Sequence, residues 1–249
     1  MSLIIPAAGR GSRFLKSGVA QPKPLIELNG RPFFWWAVES IRRITPLEQI
    51  VFVVLEEHIG LFSIDKIIKA YYPEATIVAL EDVTSGAAET ARMGLAALRK
   101  PGPVAINDCD HAFICHSLSG SIDELGNDAV GDDVAAILMG FRSSSPAYSY
   151  IKFNAKNEVE GTIEKQVVSP FAIAGCYIFA DSDRFAEIYE QYKSQCPYSE
   201  LFVSGMFNIL SAERATIRMV ELDRHCSFGT PEEQALISDE LFSPFLAWK

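Results

Sequence analysis

The sequence predicts an α/β fold, a mostly parallel mixed sheet flanked by helices, and three observations predict it. Apolar, β-rich runs alternate along the chain with stretches of helical period. One of them, residues 50–55, is almost wholly apolar, as a strand covered on both faces is. Chemically distinctive residues then follow directly on apolar runs, where open α/β sheets hold their ligands, at the carboxyl ends of strands. The length of 249 residues suits one domain over 1–249 with a full core.

The elements follow in order. An apolar run at 2–6 gives the first strand. Pro32 suits the opening of a helix through Phe-Phe-Trp-Trp-Ala-Val-Glu-Ser-Ile-Arg-Arg, with Phe34, Val38 and Ile41 on one face. Residues 50–55 form a strand, 61–71 a helix and 76–80 the third strand. Thr84 or Ser85 caps a helix that runs to about Arg99. A central strand at 103–106 ends in Asn107-Asp108-Cys109-Asp110-His111. Another buried strand covers 134–140. Residues 148–153 and 159–164 pair as a hairpin across Asn154-Ala155-Lys156-Asn157, and a strand follows at 171–179. Helices at 181–193 and 199–211, a late strand at 215–220 and a closing segment at 226–233 complete the chain.

Composition narrows the function. Hydrophobic residues make up 49% of the chain, and the net charge is −10. An acidic surface argues against a nucleic-acid partner, which needs a basic field. It leaves a nucleotide open, because a small site needs only a few local cations and a metal. No apolar run approaches 18 residues, so no membrane span is expected. The N-terminus carries no basic segment ahead of an apolar stretch, so no signal peptide is expected. Five cysteines (109, 115, 176, 196 and 226) are odd in number and scattered, which fits reduced thiols and a cytoplasmic setting.

The chain is organised around residues 4–25. After the first strand come Ala7, Ala8, Gly9, Arg10, Gly11, Ser12 and Arg13. Small residues let backbone approach a ligand, and successive N–H groups in such a turn make an anion cradle. Arg13 offers a fork of donors suited to phosphate oxygens. Lys23 sits between Pro22 and Pro24, which stiffen the backbone that carries its ammonium. Together these point to a polyphosphate. No Lys-Ser or Lys-Thr follows the glycines, and position 14 is Phe14, so neither the Walker A loop nor the dinucleotide fingerprint is met.

The stretch resembles the signature of the sugar-phosphate nucleotidyltransferase family: a strand, a Gly-x-Gly-x-Arg loop, then Pro-Lys-Pro-Leu and a glycine shortly before a proline. Here these are Gly9, Gly11, Arg13, residues 22–25 and Gly30-Arg31-Pro32. The resemblance implies a Rossmann-like, GT-A-like fold and transfer of a nucleotidyl group from a nucleoside triphosphate to a phosphorylated small molecule, with release of pyrophosphate and Mg²⁺ as cofactor. It implies that Arg13 and Lys23 are catalytic. It puts Ala7, Ala8, Gly9, Gly11, Glu81, Gly86 and Asp108 against the nucleotide. Asp110, with Asp108 second, becomes the metal ligand. Glu164, Lys165 and Gly175 become acceptor contacts. Many members carry a second metal aspartate two residues before the late Gly-Thr-Pro, and here that position is Ser227. Asp223, Asp108 or water then remain to complete the metal shell. Monomer and homodimer both stay open.

Carboxylates at Glu81 and Asp82 can only accept hydrogen bonds, which suits the exocyclic amine of cytosine and favours CTP over UTP or dTTP. Two alternatives use the same residues. Asp108-Cys109-Asp110 is also the Asp-x-Asp of a GT-A-type glycosyltransferase. Ser227 would equally suit a non-catalytic nucleotide-binding regulatory subunit. Cys109, His111, Cys115 and His116 cluster in sequence but match no common zinc spacing.

Overall fold

A computed structural model describes residues 1–126 and 134–249. In chain order the strands and helices are β1 (Ser2–Pro6), α1 (Ser12–Lys16), a 3-10 turn (Lys23–Leu25), β2 (Glu27–Leu28), β3 (Arg31–Pro32), α2 (Phe33–Arg42), β4 (Gln49–Leu55), α3 (Glu56–Phe62), α4 (Ile64–Tyr71), β5 (Thr76–Leu80), α5 (Ala87–Leu95) and β6 (Val104–Asn107). They continue with β7 (His111–Ile114), α6 (Leu118–Asp123), β8 (Val134–Arg142), β9 (Ser149–Phe153), β10 (Val159–Glu164), β11 (Phe171–Phe179), α7 (Ser182–Gln195), α8 (Val203–Ala212), β12 (Thr216–Glu221), β13 (Arg224–Ser227), α9 (Pro231–Ala235) and α10 (Asp239–Leu246).

Nine strands form one mixed sheet in the order β10-β9-β11-β6-β1-β4-β5, with β8 paired to β11 and β12 to β8. The pairs β1–β4, β1–β6, β4–β5 and β8–β12 are parallel. β11 runs antiparallel to β6 and joins the parallel half to the hairpin β9–β10. Alternating side chains send Leu3 and Ile5 to one face and Ile4 to the other. The first face packs under α2, α4 and α10, the second under α5, α7 and α8. This double cover is why β4 reads as continuously apolar.

Several boundaries differ from expectation for physical reasons. The helix expected over 61–71 is two helices, α3 and α4, broken at Ser63 in the left-handed region (φ 52°). α2 is buried on every side from Phe33 to Ile41, so its three-residue face was too narrow an expectation. Its one buried carboxylate, Glu39, is held by Arg42 at 3.0 Å, Arg43 at 3.2 Å and the Tyr72 hydroxyl at 3.2 Å. α5 stops at Leu95, and Gly86, not Thr84 or Ser85, is its N-cap. There the Glu89 carboxylate reaches back to accept from Ser85 N at 2.7 Å. The helix expected at 199–211 begins only at Val203. The Gly30 turn is a two-residue hairpin in which Asn29 and Gly30 both have positive φ, the Asn-Gly geometry of a tight turn.

The closing segment also differs. Residues 224–227 are a strand, β13, antiparallel to β7, with Ser227 opposite His111. This two-stranded ribbon brings the late Gly-Thr-Pro segment over the end of β6.

α5 seats on the sheet through Gly94. A Cβ there would stand 2.8 Å from Val53 Cγ2 and 2.9 Å from Ile4 Cγ2. On an exposed helix Gly→Ala gains about 1 kcal/mol, whereas overpacking costs about 1–3 kcal/mol, so packing decides the sign. Gly94→Ala is expected to lower Tm by roughly 2–6 °C in a thermal melt; a higher Tm than the native chain would contradict this packing.

Candidate active site

The site lies where β1 and β6 end side by side. Beyond β1, Ala7 and Ala8 are buried, and Ala7 N donates to Val53 O at 2.8 Å. Gly9 and Arg10 are exposed. Gly11 turns the chain with φ 60° into α1. A Cβ on Gly11 would lie 3.3 Å from the Lys23 Cβ, so the glycine loop rests directly on the proline-held lysine. Pro22 and Pro24 are buried, and Lys23 begins the 3-10 turn. Its ammonium donates to Asp110 Oδ2 at 2.8 Å. Residues 87 positions apart thus meet in one ion pair. Burial alone would depress the Lys23 pKa, but the Asp110 carboxylate overrides it and raises it. Asp110 shows the reciprocal balance: burial raises its pKa, and Lys23 outweighs burial and lowers it.

Asp108 stands one turn back. Burial, then the Asp110 charge, lift its carboxyl to about 7. β11 makes room for it. The register of β11 against β8 slips between Ile173 and Tyr177, Gly175 takes φ 69° in that bulge, and Gly175 O accepts from Asp108 N at 2.9 Å. A Cβ at 175 would stand 2.7 Å from Asp108 Oδ2. Two half-buried carboxylates share one lysine, and no described residue donates a hydrogen bond to the Asp108 carboxylate. A hard dication with a preference for oxygen fits that donor set.

The acceptor candidates lie on the hairpin side. Glu164 accepts from the Ser149 and Ser204 hydroxyls, and its charge is felt at Asp108. Lys165 sits at φ 53°, donates its N–H to Tyr148 O at 3.1 Å and holds its ammonium 5.5 Å from the Phe202 ring. Arg13 is exposed on α1, where its charge acts on Glu232, apart from the Lys23–Asp110 pair. Arg10 faces His58 on α3.

Gly86 proves to be a packing glycine. A Cβ there would strike the Leu201 backbone, 2.5 Å from its nitrogen, and Leu201 is hydrogen-bonded to Ser85 and Ala88 on either side. Glu81 and Asp82 are exposed beyond β5, two strands from β1.

Asp223 is committed elsewhere: its carboxylate takes His116 N at 2.7 Å and His116 Nδ1 at 2.8 Å. His111 Nε2 pairs with Asn107 Oδ1 at 2.9 Å, Cys115 points to Glu221 O and Ser117, and Cys109 is buried with its thiol pushed up to about 12 by that burial. The five cysteines are free. Among the described residues no helix is long and apolar enough to cross a membrane.

Two residues escaped the sequence. Glu233 on α9 accepts from the Tyr148 hydroxyl at 2.6 Å. Phe228 N donates to Asp110 O at 2.9 Å, clamping the segment that carries both Ser227 and Glu233 over Asp110. The only sequence signal was Thr230-Pro231-Glu232-Glu233, which reads as a capping box.

Comparison with known proteins bears on the family and the fold. The family model of the MobA-like NTP transferase domain matches residues 3–146. A 2-C-methyl-D-erythritol 4-phosphate cytidylyltransferase from Vibrio atlanticus is 29% identical over 168 residues, 65% of this chain and 64% of that protein, so the match spans less than two thirds of the relative. Among solved structures, a nucleoside-diphosphate-sugar pyrophosphorylase from Vibrio cholerae RC9 superposes with TM-score 0.76 at 23% identity, covering 96% of this chain and 99% of that one. An inositol-1-phosphate CTP transferase from T. maritima gives 0.74 at 13% identity over 97% and 93%. Both share the fold.

One pH dependence follows from the ribbon beneath the site. His225 packs against Phe141 in a tilted pair, ring centroids 4.0 Å apart, and lies 5.6 Å from His111. Burial holds His225 well below the usual histidine range and His111 at about 4. Both stay neutral in the folded chain while the unfolded chain takes up protons below about pH 6.5. Their contribution is therefore full above that pH and is lost as pH falls towards 4. The urea midpoint is expected to drop between pH 7.5 and 5, and His225→Phe should shrink that drop. An equal drop in the variant would assign the acid sensitivity to other groups.

Proposed function

The chain belongs to the MobA-like NTP transferase domain family, and from that premise we propose that it is a Mg²⁺-dependent nucleotidyltransferase that joins the nucleotidyl group of CTP to a phosphorylated small molecule and releases pyrophosphate. The Lys23–Asp110 pair carries this reading. It ties the Pro-Lys-Pro-Leu element to the Asp-x-Asp turn beneath the glycine loop, an arrangement a phosphate chain would bridge. A glycosyltransferase needs the Asp-x-Asp but not the loop-borne lysine. The regulatory-subunit reading loses support because Arg13, Lys23 and Asp110 are all retained. The acceptor is a phosphate monoester such as a sugar phosphate.

Asp110 and Asp108 would hold the metal, which when bound supplies positive charge to the phosphates and orients them. The backbone N–H groups from Ala8 to Gly11 face the triphosphate, and Arg13 at the mouth meets its β and γ groups. Lys23 bridges the α-phosphate and the incoming phosphate. Because Asp110 keeps the ammonium charged, Lys23 enters as a fixed cation and not as a base. A phosphate monoester is already anionic near neutral pH, so the acceptor oxygen attacks the α-phosphorus with no strong general base. The protein's share is positioning and charge stabilisation. Glu164, held by two serine hydroxyls, would accept from acceptor hydroxyls, and Lys165 would meet the acceptor phosphate.

CTP is favoured by the accept-only carboxylates Glu81 and Asp82 beyond β5, and by the name of the Vibrio atlanticus relative, a cytidylyltransferase. With Mg²⁺ present, CTP should raise Tm more than UTP, dTTP, ATP or GTP. At a hundred times its Kd the gain is about 2.7 kcal/mol. Paired Glu81→Gln and Asp82→Asn substitutions should erase the preference. An unchanged preference in that double variant would move base reading to backbone groups.

Lys23→Ala is expected to cut pyrophosphate release on the order of 100- to 1000-fold while the thermal melt stays cooperative. Near-native turnover in that variant would refute the assignment of Lys23 and with it the reading.

A further inference from the structure

Lys165 is held in a backbone conformation that it does not favour. Its φ of 53° puts a residue with a Cβ in the left-handed region, which costs energy and lasts only where neighbours over-determine it. Here the fixing contact is the backbone of Tyr148, whose carbonyl accepts from Lys165 N at 3.1 Å. The next residue, Ser149, is paired with Glu164 across β9 and β10 and donates its hydroxyl to the Glu164 carboxylate. Residues 148 and 149 therefore carry both acceptor-side candidates. Whatever fixes Tyr148 fixes Glu164 and Lys165 with it.

Tyr148, half-buried, is fixed from across the site. Its ring packs edge-on against Phe141, centroids 5.1 Å apart. Its hydroxyl donates to Glu233 Oε1 at 2.6 Å, the separation of an O–H donor on an ionised carboxylate, which is the stronger class of hydrogen bond. Burial, then the Glu233 carboxylate, hold the phenol well above its usual pKa, so it stays a donor. Glu233 is itself placed by the Thr230 cap, whose Oγ1 accepts from Glu233 N at 3.1 Å. In a capping box the glutamate would turn back to the cap residue's own N–H. Here it turns to the hairpin instead. The segment that carries it is clamped on the site, because Phe228 N donates to Asp110 O at 2.9 Å. One phenol thus joins the strand pair behind Glu164 and Lys165 to the segment on Asp110, through partners 85 positions apart in sequence.

We infer that Tyr148 is a positioning residue for the acceptor: by bridging from β9 to Glu233 it sets where Glu164 and Lys165 stand relative to the Lys23–Asp110 pair. The inference rests on the transferase reading above, which makes Glu164 and Lys165 acceptor contacts, and adds the group that places them. Tyr148 acts through these two residues and needs no contact with substrate. Transfer between two bound reactants depends on such placement, since a shift of about 1 Å can cost on the order of 100-fold in rate.

The test uses the full chain, with inorganic phosphate as the probe for the acceptor's phosphate. Phosphate is titrated against the amide resonance of Lys165, and hydrogen exchange of the same amide is followed without ligand. Tyr148→Phe keeps the ring and loses the donor. Glu233→Ala loses the acceptor oxygen, and Glu233→Gln keeps one. Melting curves check that each variant folds. Losing a hydrogen bond to a charged group commonly costs tenfold or more. Tyr148→Phe and Glu233→Ala should each speed Lys165 exchange and raise the phosphate Kd by about that factor. The two together should do no more than either alone, and Glu233→Gln should recover most of both effects. The rise in Tm with CTP and Mg²⁺ should be unchanged in every variant. Faster exchange with an unchanged phosphate Kd would make the bond a structural one and overturn the inference. So would a Lys165 resonance that phosphate does not move in the native chain. In both cases a native response to CTP and Mg²⁺ leaves the transferase reading standing, whereas no response to any nucleoside triphosphate would overturn that reading as well.

Discussion

The contact between Lys23 Nζ and Asp110 Oδ2 is the constraint on which the rest of the site depends. Lys23 reaches Asp110 only because Pro22 and Pro24 are buried and fix the backbone of a three-residue turn. Asp110 is there to be reached only because β6 lies beside β1 in the parallel half of the sheet. A lysine side chain loses up to about 2 kcal/mol of rotamer freedom when it is held. The contact with Asp110 holds that side chain before any ligand arrives, and the prolines fix the backbone beneath it. The sheet order, the glycine loop and the proline element thus converge on one charge at one place.

Around this pair, absent side chains do as much as present ones. Gly11 lets the loop after β1 lie on Lys23, Gly175 admits the Asp108 carboxylate, and Gly229 admits that of Asp110. Each occupies a different element: the loop after β1, the bulge in β11 and the turn before α9. Three segments far apart in sequence are hollowed towards the same few atoms. Gly86 serves a different end, the seating of α5 on the Leu201 backbone. A glycine in a nucleotide-binding position by resemblance can thus be required by the protein's own packing, whether or not a base also lies near.

The central strands were legible because burial on two faces writes itself as apolar runs, and β1, β4, β8 and β11 were found within a residue or two, as was β5, a half-exposed strand at the sheet edge. The turn at Gly11 and the held backbone at Lys23 were legible because glycine and proline constrain backbone locally. What stayed hidden was whatever depends on partners distant in sequence. The ribbon β7–β13 pairs four-residue strands distant in sequence, His111 with Ser227 116 positions on, and neither strand is long enough to show an alternating pattern. The break at Ser63 has no glycine or proline to announce it. Glu233 was invisible for the opposite reason: its spacing from Thr230 has a complete local explanation as a helix cap, and only the tertiary position of Tyr148 turns the carboxylate inward.

Charge then closes the account of the site. The inner surface carries the carboxylates of Asp108, Asp110, Glu164 and Glu233 against the half-buried ammonium of Lys23, while Arg10 and Arg13 are exposed. Two like charges about 4 Å apart repel by roughly 4 kcal/mol at an effective dielectric of 20, and Asp108 is lifted to about 7 first by its burial and then by the Asp110 charge. A bare polyphosphate would add negative charge to a negative floor. A dication would offset the charge of that floor, favour the ionised form of Asp108 and leave the arginines for the far phosphates. On the proposed reading the site is therefore built to bind nucleotide and metal together and neither well alone, which is how a chain with a net charge of −10 can hold one of the most anionic of small ligands.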